Sequence, residues 1–307
     1  MADTSNKEQN TLNVFFAIND AYVEPAKTML QSLLVNNDIF VKAYLLHKHL
    51  SREKVEDLKC FVSSHGHGRL IEIQIPESSF NDAPKLKWWS EETYYRLLAS
   101  DLIPEDRALW LDADVIVNKS ITDFYSQDIS DVYAVVCKGS NQTGKERLGL
   151  PESHVYFNSG VILYNLKLLR KRLDAQDIFD CLNQYKDKLS ALDQDILNIL
   201  FSEHICYADE QIYNHETLGF SVLTREEMNC IFHKACIIHF IGPLKPWNYK
   251  GANWADKLWW KYERQRGRTV QYVKYKILNF PTKLYYICRE IIFIGQAQIN
   301  KLVSHKH

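Results

Sequence analysis

The sequence predicts an α/β protein with a mostly parallel central sheet and helices on both faces of that sheet. Short apolar runs alternate with amphipathic helical segments through the first 75 residues, a pattern typical of strands joined by crossover helices. A later apolar run, residues 107–119, is interrupted by two acids, and open α/β sheets bind ligands at such strand ends. The 307 residues, 46% of them apolar, are enough to build a sizeable core.

The N-terminal elements follow the order strand, helix, strand, helix, strand. The apolar run at residues 12–18 is the first strand, and a polar turn at residues 19–21 leads into a helix with apolar residues at helical spacing. Ser51 is placed to cap a second helix that extends to about Val62. The remaining strands of this group are expected at residues 41–46 and 70–75. No G-x-G-x-x-G follows the first strand, which disfavours a dinucleotide site of that type.

Asp112 and Asp114 interrupt an otherwise apolar segment. We expect residues 108–111 to form a buried strand and residues 115–117 to continue it. Residues i and i+2 of an extended chain point to the same side, so both carboxylates can be directed at one place. Two like charges this close repel unless a cation lies between them, and a divalent metal is the simplest such cation. The alternative is a turn in which Asp112 caps backbone amides and Asp114 is solvated.

Three later segments add polar residues to this pattern. A helix is expected to start at Ser90 and to include Arg96. Residues 138–153 are polar and too many for a tight turn, so they are a candidate lid. The next strand is expected to turn at residues 158–160, where Gly160 permits close approach of the backbone to a ligand. Further strands are expected at residues 132–137, 205–208 and 236–240.

Several polar residues near the C-terminal half have both a functional and a structural interpretation. Asp193 and Asp195 open a helix, where the helix dipole alone stabilises acidic residues. His239 follows an apolar run, where histidine is usually a core residue, but Gly242 and Lys245 come soon after it. A glycine lets backbone amides approach an anion, and lysine is a common phosphate ligand. Lys245 is otherwise a solvated lysine, although the prolines beside it stiffen the loop.

Charge and cysteine usage limit the class of protein. From Lys261 onward the chain has ten Lys or Arg and two acidic residues, a net charge of +8, whereas the preceding body has a net charge of −9. The seven cysteines are scattered and never spaced C-x-x-C, which indicates a reduced, cytoplasmic protein without a disulfide framework or zinc site. Residues 1–10 are polar and are predicted to be disordered, and no signal peptide or membrane-spanning run is expected. No nucleic-acid partner is expected.

The sequence resembles glycosyltransferase family 8, retaining galactosyl- and glucosyltransferases that include bacterial lipooligosaccharide enzymes. The resemblance covers residues 11–250, and the motifs appear in the family's order: FFAINDAY (15–22), TYYRL (93–97), LDADVIV (111–117), FNSGVILYNL (157–166), LDQDILN (192–198) and HFIGPLKPW (239–247). A D-x-D alone is a weak signal, whereas the ordered set is specific. The resemblance implies a GT-A fold, with a single Rossmann-like nucleotide-binding domain at residues 11–250 and a helical, basic segment at residues 251–307.

The family's site residues can be placed on the matching positions of this chain. Metal ligands would be Asp112, Asp114 and His239, which suit Mn²⁺, with Mg²⁺ possible. The UDP-sugar would contact Ala17, Ile18, Asn19, Tyr22, Arg96, Asp112, Ala113, Asp114, Asn158, Ser159, Asp193, Gln194, His239, Gly242 and Lys245. Among these, the family implies that Ala17, Asn19 and Tyr22 hold the uracil and ribose, that Gly242 and Lys245 hold the diphosphate, and that Arg96, Asn158, Asp193 and Gln194 hold the hexose. Many members have an acid where Asn19 stands and an Asn where Ala21 stands, so the base and ribose contacts must be partly rearranged.

The implied reaction is transfer of a hexose, with retention, from UDP-galactose or UDP-glucose to a saccharide, glycolipid or glycoprotein acceptor of the bacterial envelope. Gln194 and Asp193 are the catalytic candidates, and because an amide is a poor nucleophile we favour front-face attack with Gln194 as electrostatic support. Two other interpretations stay open. A metal-dependent phosphohydrolase could use the same three metal ligands, and 17 Tyr and 7 Trp are compatible with a non-catalytic glycan-binding module.

The tail has a composition that the family motifs do not explain. Residues 272–302 combine basic side chains with Tyr, Phe, Ile and Leu, and Pro281 divides them into two segments. This composition is typical of helices that lie in the membrane interface. We predict peripheral attachment to the inner face of the plasma membrane, and the alternative is that the tail packs on the catalytic domain.

Overall fold

The computed structural model describes residues 11–77, 79–80, 91–217, 223–248, 255–282, 284–285 and 287–288. The N-terminus predicted to be disordered, the predicted helix start at Ser90 and most of the second half of the tail lie outside these residues. The chain divides into two compact units. The first contains Met1–Glu216 and Lys234–His239, and the second contains Thr217–His233 and Phe240–His307.

Ten strands are present in the described part of the chain. They are β1 (Thr11–Ala17), β2 (Phe40–His47), β3 (Gly68–Gln74), β4 (Arg107–Leu111), β5 (Val115–Val117), β6 (Ala134–Lys138), β7 (Phe157–Asn165), β8 (Ile205–Ala208), β9 (His215–Glu216) and β10 (Ile237–His239). Seven form one sheet in the order β3-β2-β1-β4-β7-β6-β8, and β5, β10 and β9 form a small second sheet. In the large sheet only the pairs of β7 with β4 and β6 are antiparallel, so the predicted mostly parallel α/β fold is confirmed.

Helices connect the strands along the described chain. They are α1 (Val23–Val35), α2 (Arg52–Ser63), α3 (Ala99–Leu102), α4 (Thr122–Tyr125), α5 (Thr143–Leu148), α6 (Leu166–Arg172), α7 (Ala175–Tyr185), α8 (Leu192–Leu200), α9 (Glu210–Tyr213), α10 (Arg225–Lys234), α11 (Asp256–Gln265) and α12 (Thr269–Leu278). Three 3-10 helices cover Asp20–Tyr22, Glu91–Leu98 and Pro246–Asn248. The predicted cap of α2 is confirmed, because the Ser51 side chain accepts a hydrogen bond from the backbone N–H of Lys54.

The large sheet separates two layers of core. Alternate residues of a strand face opposite sides, and accordingly Phe16 and Leu111 belong to one buried cluster whereas Phe15 and Trp110 belong to the other. Both clusters consist of fully or nearly fully buried aliphatic and aromatic side chains. The strands β1 and β4 are therefore packed on both faces, and Asp112 follows the end of β4 directly.

Three local predictions were wrong in detail. Residues 115–117 do not continue β4, because the chain leaves the large sheet at Asp112 and forms β5 in the second sheet. Residues 158–160 are not a turn. They lie within β7, where the pairing register with β6 shifts between Val136 and Cys137. Residues 138–153, the candidate lid, are not one continuous loop, since they contain helix α5, which is capped at its C-terminus by Gly149 with a φ of 69°.

The second unit has its own aromatic core. The Trp259 ring of α11 packs against the rings of Phe240 and Trp247, and Trp260 stacks on Tyr275 of α12. The predicted helical C-terminal segment is confirmed through α11 and α12. Within the described residues, no helix is long and apolar enough to cross a bilayer.

Candidate active site

The two acids and His239 meet where the chain passes from one sheet to the other. Asp112 follows β4 directly and Asp114 precedes β5 directly. Strand β10 pairs antiparallel with β5, and the register places His239 opposite Val115. The pairing of β5 with β10 thus places His239 beside Asp114, although the two residues are 125 positions apart in the sequence.

The three side chains form a compact cluster of possible metal ligands. His239 Nε2 lies 3.1 Å from Asp114 Oδ1 and 3.6 Å from Asp112 Oδ2. One ligand atom from each residue lies within 4.8 Å of the other two. Two carboxylate oxygens and one imidazole nitrogen are a donor set that suits a hard divalent ion. The residues present therefore fit a site for Mn²⁺ or Mg²⁺.

Arg96 compensates the negative charge of Asp112, which it contacts through the carboxylate oxygen that does not face His239. It belongs to the 3-10 helix Glu91–Leu98, and its side chain is 4% exposed. Its guanidinium lies 3.0 Å from Asp112 Oδ1 through Nη2 and 3.1 Å from Asp193 Oδ2 through Nε. Its Nη1 donates to the backbone oxygen of Ser159 at 2.5 Å, and its Cζ is 4.2 Å from the centre of the Trp110 ring. Every polar edge of the guanidinium is thus engaged.

Asp193 is fully buried at the start of α8 and is held by its neighbours. The Ser159 hydroxyl donates to its Oδ2 at 3.3 Å, beside the Arg96 contact. Burial raises the pKa of Asp193 from 3.8 to about 6, although Arg96 opposes the shift and Asp112 adds to it. Charge on Asp193 is therefore maintained against desolvation mainly by Arg96.

Gln194 lies next to Asp193 but is half-buried. Its Oε1 accepts the backbone N–H of Ser159 at 3.0 Å. Leu192, two residues before Gln194, has a φ of 43°, a left-handed conformation that is strained for a branched side chain. Asp195 holds this turn, because its Oδ2 accepts the backbone N–H groups of Ser190 and Ala191. Asp195 therefore has a structural role in this turn. The Asp193 carboxylate instead contacts Arg96.

His239 is oriented by an amide on the other side of its ring. Its Nδ1 lies 3.0 Å from Asn214 Oδ1, and Asn214 is 1% exposed. Burial opposes a charge on His239, but the carboxylates of Asp114 and Asp112 outweigh this effect and raise the pKa of the imidazole. The two acids therefore favour a positive charge at this position when no cation is bound.

Gly160 provides the space that the cluster requires. A Cβ atom at this position would lie 2.1 Å from His239 Cε1 and 2.8 Å from Asp112 Oδ2. The backbone oxygen of Gly160 also accepts the N–H of Asp112 at 2.8 Å. The predicted close approach at Gly160 is thus made by the protein's own histidine and aspartate.

The residues at the end of β1 lie beside this cluster. The register Phe15↔Trp110 aligns the ends of β1 and β4, so half-buried Ala17 and buried Ile18 come next to the acids along the sheet edge. Burial raises the pKa of the Tyr22 phenol, and Asp114 and Asp112 contribute, which keeps this phenol protonated. The Asn19 amide accepts from the Ala21 N–H at 3.1 Å and donates to Glu92 Oε2 at 3.3 Å.

The remaining predicted residues have different surroundings. Asn158 is half-buried, and its Oδ1 accepts the N–H of Gly160. The Ala113 side chain packs in the core and leaves only its backbone for a ligand. In the second unit, Gly242 has a φ of 80°, and the Lys245 ammonium donates to Phe240 O at 2.6 Å and lies 5.8 Å from the centre of the Trp247 ring.

Two residues of the cluster were missed by the sequence analysis. Trp110 Nε1 donates to Asp112 Oδ1 at 2.8 Å, and the same i, i+2 rule that paired the two acids would have found it. Asn214, which bonds His239, has no comparable signal, because it follows a four-residue helix and belongs to none of the motifs.

The fold is that of the GT-A glycosyltransferases. A solved structure of the galactosyltransferase LgtC in complex with donor and acceptor sugar analogs superposes with a TM-score of 0.70, covering 83% of this chain and 96% of that one. The sequence identity is 24%, so this likeness shows the fold alone.

The family follows from a second comparison. The model described as glycosyl transferase family 8 matches residues 13–251, and the chain therefore belongs to glycosyltransferase family 8. Similar relatives include glycosyltransferase GlyE of Streptococcus pneumoniae, 28% identical over 81% of this chain and 60% of its own length. Lipopolysaccharide 1,2-glucosyltransferase of Escherichia coli is 27% identical over 87% of this chain and 82% of its own. The chain thus spans about 60% of the length of GlyE.

The buried charge of Asp193 predicts a pH-dependent stability difference. Below about pH 4 both the folded and the unfolded chain hold the proton on Asp193, so its charge has no effect on folding. As the pH rises to about 6, the unfolded chain loses the proton first, and the folded state becomes less stable by roughly 3 kcal/mol. The stability of Asp193→Asn relative to the wild type should therefore rise by roughly 3 kcal/mol between pH 4 and pH 8, whatever constant cost the loss of the Arg96 ion pair adds at every pH.

The control for this measurement is Asp187→Asn, which removes an exposed carboxylate a few residues before α8. Urea midpoints of the three proteins are compared at pH 4.5, 6 and 8. A difference between Asp193→Asn and wild type that stays constant with pH would contradict the assigned environment of Asp193.

Proposed function

We propose that this protein is a metal-dependent, retaining glycosyltransferase that moves galactose or glucose from UDP to an acceptor of the bacterial cell envelope. The observation that carries the proposal is the cluster of Asp112, Asp114 and His239 at the end of β4, with Arg96 beside it. The names of relatives support the substrate class, since they include a lipopolysaccharide 1,2-glucosyltransferase and a lipopolysaccharide 1,3-galactosyltransferase. The acceptor is a saccharide, glycolipid or glycoprotein.

The three clustered side chains would hold Mn²⁺, or Mg²⁺, together with the diphosphate of the donor. When bound, the ion supplies Lewis-acid stabilisation of the negative charge that develops on the departing UDP. The donor-binding residues we propose are those placed by the family motifs: Ala17, Ile18, Asn19, Tyr22, Arg96, Ala113, Asn158, Ser159, Asp193, Gln194, Gly242 and Lys245. The Tyr22 ring would supply a stacking surface for uracil.

Retention of configuration is consistent with a front-face attack. Asp193 is fully buried and bonded to Arg96 and Ser159, so its carboxylate is poorly placed to act as a nucleophile on a bound sugar. The Gln194 carbonyl oxygen already accepts a backbone N–H, which lowers the nucleophilicity of an amide that is weak from the start. We therefore assign Gln194 to electrostatic support of the sugar and Asp193 to holding Arg96.

The Lys245 ammonium is proposed to stabilise the diphosphate. Its carbonyl partner at Phe240 and the nearby Trp247 ring restrict its side chain within the second unit. A positively charged group that is already held in place stabilises growing charge without reorganisation during the reaction.

Asp114→Ala should lower the rate of hexose transfer by at least about 10²-fold, because it removes one of the three proposed metal ligands, and the metal stabilises the charge that develops on the departing UDP. UDP should also no longer stabilise the variant against heat in the presence of Mn²⁺, whereas it stabilises the wild type only when Mn²⁺ is present. UDP release and thermal unfolding measure the two effects.

Asp131→Ala, at an exposed position outside the cluster, is the control and should behave as the wild type. Near-full activity of Asp114→Ala in Mn²⁺ would show that the metal assignment is wrong. Stabilisation of the wild type by UDP without any metal would contradict the proposed metal dependence.

Lys245→Ala should lower kcat/KM by about 10²-fold or more, since a charge-assisted contact contributes roughly 1.5–3 kcal/mol to binding and more to charge that grows during reaction. Lys234→Ala, which removes an exposed lysine, is the control. A loss below about threefold in Lys245→Ala would place its side chain outside the reaction.

We also propose that the C-terminal segment attaches the protein to a membrane surface. Helix α12 exposes Val270, Val273 and Ile277 on one face, with 78%, 49% and 69% of each residue accessible. Tyr275, on the opposite side, is buried and donates to Asp256 Oδ2 at 2.8 Å. An exposed apolar face among basic residues is typical of helices that lie in an anionic membrane interface.

Val270→Ser combined with Ile277→Ser should reduce binding of the full-length protein to anionic liposomes by several-fold, because both apolar side chains lose contact with the membrane. Flotation with anionic and with neutral lipid at low salt measures this binding. Val35→Ser, at an exposed apolar position of α1, is the matched control. Equal recovery of wild type and the double variant in the soluble fraction would return α12 to a purely structural role.

A further inference from the structure

A chain of hydrogen bonds connects a backbone amide to the ring of His239. The N–H of Gly160 donates to Asn158 Oδ1 at 2.8 Å. The Asn214 amide lies between Asn158 Oδ1, at 2.9 Å from its Nδ2, and His239 Nδ1, at 3.0 Å from its Oδ1. These residues belong to the first compact unit, and Asn214 and His239 are almost completely buried.

The direction of every bond in this chain follows from its first donor. A backbone N–H can only donate, so the atom of Asn158 that faces Gly160 must be the carbonyl oxygen. The same oxygen faces Asn214, which must therefore present its NH₂ group there. The oxygen of Asn214 is then left to face His239, and an oxygen of this kind can only accept.

His239 must consequently carry its proton on Nδ1. We propose that Asn214 is a positioning residue which, through this chain of hydrogen bonds, fixes a proton on His239 Nδ1, so that Nε2, which faces Asp112 and Asp114, is the nitrogen left to ligate a cation. This inference rests on the proposed metal-dependent function. It adds a residue that acts on the metal ligand without touching the ion or the substrate.

The fold places and confines the ring for this role. Strand β9 runs parallel to β10 with Glu216 opposite His239, and Asn214 lies directly before β9, at the C-terminal cap of helix α9. A Cβ at Gly160 would collide with His239 Cε1. The backbone of β7 therefore packs directly against one edge of the imidazole while Asn214 bonds Nδ1.

The structural difference between the two ring nitrogens matters for affinity. A neutral imidazole has one donor and one acceptor nitrogen, and only the acceptor can ligate a cation. Histidine in water prefers to carry its proton on Nε2, the nitrogen that faces the acids. Without Asn214, the ring would have to give up this preferred form before ligation, and partners of this kind are typically worth 10- to 100-fold in metal affinity.

The first test observes the Nδ1 proton in metal-free, full-length protein labelled with ¹⁵N-histidine, with His239→Gln used to assign the signal. At neutral pH the wild type should show a His239 Nδ1–H resonance protected from solvent exchange. Asn214→Leu, which replaces the amide with an apolar group of similar size, should lose this protection. Asn214→Asp keeps an oxygen towards Nδ1 and should restore it. An unprotonated Nδ1 in the wild type, or unchanged protection in Asn214→Leu, would overturn the proposal.

The second test measures Mn²⁺ binding by calorimetry. Asn214→Leu should weaken binding by about 10- to 100-fold, and Asn214→Asp should recover most of the affinity. Asn37→Leu is the matched control, because Asn37 is also 1% exposed but forms hydrogen bonds with Leu33 O and Ile121 N and not with a proposed metal-ligating side chain. Equal affinities of wild type and Asn214→Leu, or equal losses in the Leucine variants of Asn214 and Asn37, would contradict a positioning role.

The two tests also separate this inference from the proposed function. If the wild type binds no Mn²⁺ but shows the protected Nδ1 proton, the metal assignment fails while the hydrogen-bond chain stands. If Mn²⁺ binds normally and the Nδ1 signal does not depend on Asn214, the inference fails while the proposed function stands.

Discussion

Asp112 lies between two positively charged or ionisable groups, the Arg96 guanidinium at 3.0 Å and the His239 imidazole at 3.6 Å. This arrangement answers the main physical difficulty of the site, which is that Asp112 and Asp114 repel each other in partly buried surroundings. Removing one partner of a buried charge leaves the other uncompensated, which costs several kcal/mol. The acids therefore require Arg96 and His239 to be held in place even before a substrate or ion binds.

Each compensating group arrives on a different element, and the topology explains how. Arg96 comes from a 3-10 helix and is fixed between Asp112, Asp193 and the backbone of Ser159. His239 comes from β10, which can pair with β5 only because the chain leaves the large sheet after Asp112. The break between β4 and β5 thus separates a sheet that provides rigidity from a smaller one that delivers the histidine. The contacts that hold Arg96 and His239 therefore stabilise the fold and also shape the proposed binding site.

The sequence predicted the fold and the acids because both depend on local patterns. Strand and helix periodicity identified the parallel βαβ units, and the i, i+2 spacing paired Asp112 with Asp114. Residues 115–117 were predicted to be strand but were assigned to the wrong sheet, because the apolar run Val-Ile-Val is equally compatible with either sheet. Asn214 was missed because its role arises from the pairing of β9 with β10, a contact between distant segments that leaves no trace in residue spacing. Membership of family 8 is shown by the match over residues 13–251, whereas the roles of individual site residues stay predictions.

The most direct test of this account is a crystal structure of the protein with Mn²⁺ and UDP, in which anomalous scattering locates the manganese. We predict one strong anomalous peak bonded to carboxylate oxygens of Asp112 and Asp114 and to Nε2 of His239, with diphosphate oxygens completing the coordination. UDP bound with its diphosphate away from these residues, or manganese ligated elsewhere while this cluster holds none, would contradict the account.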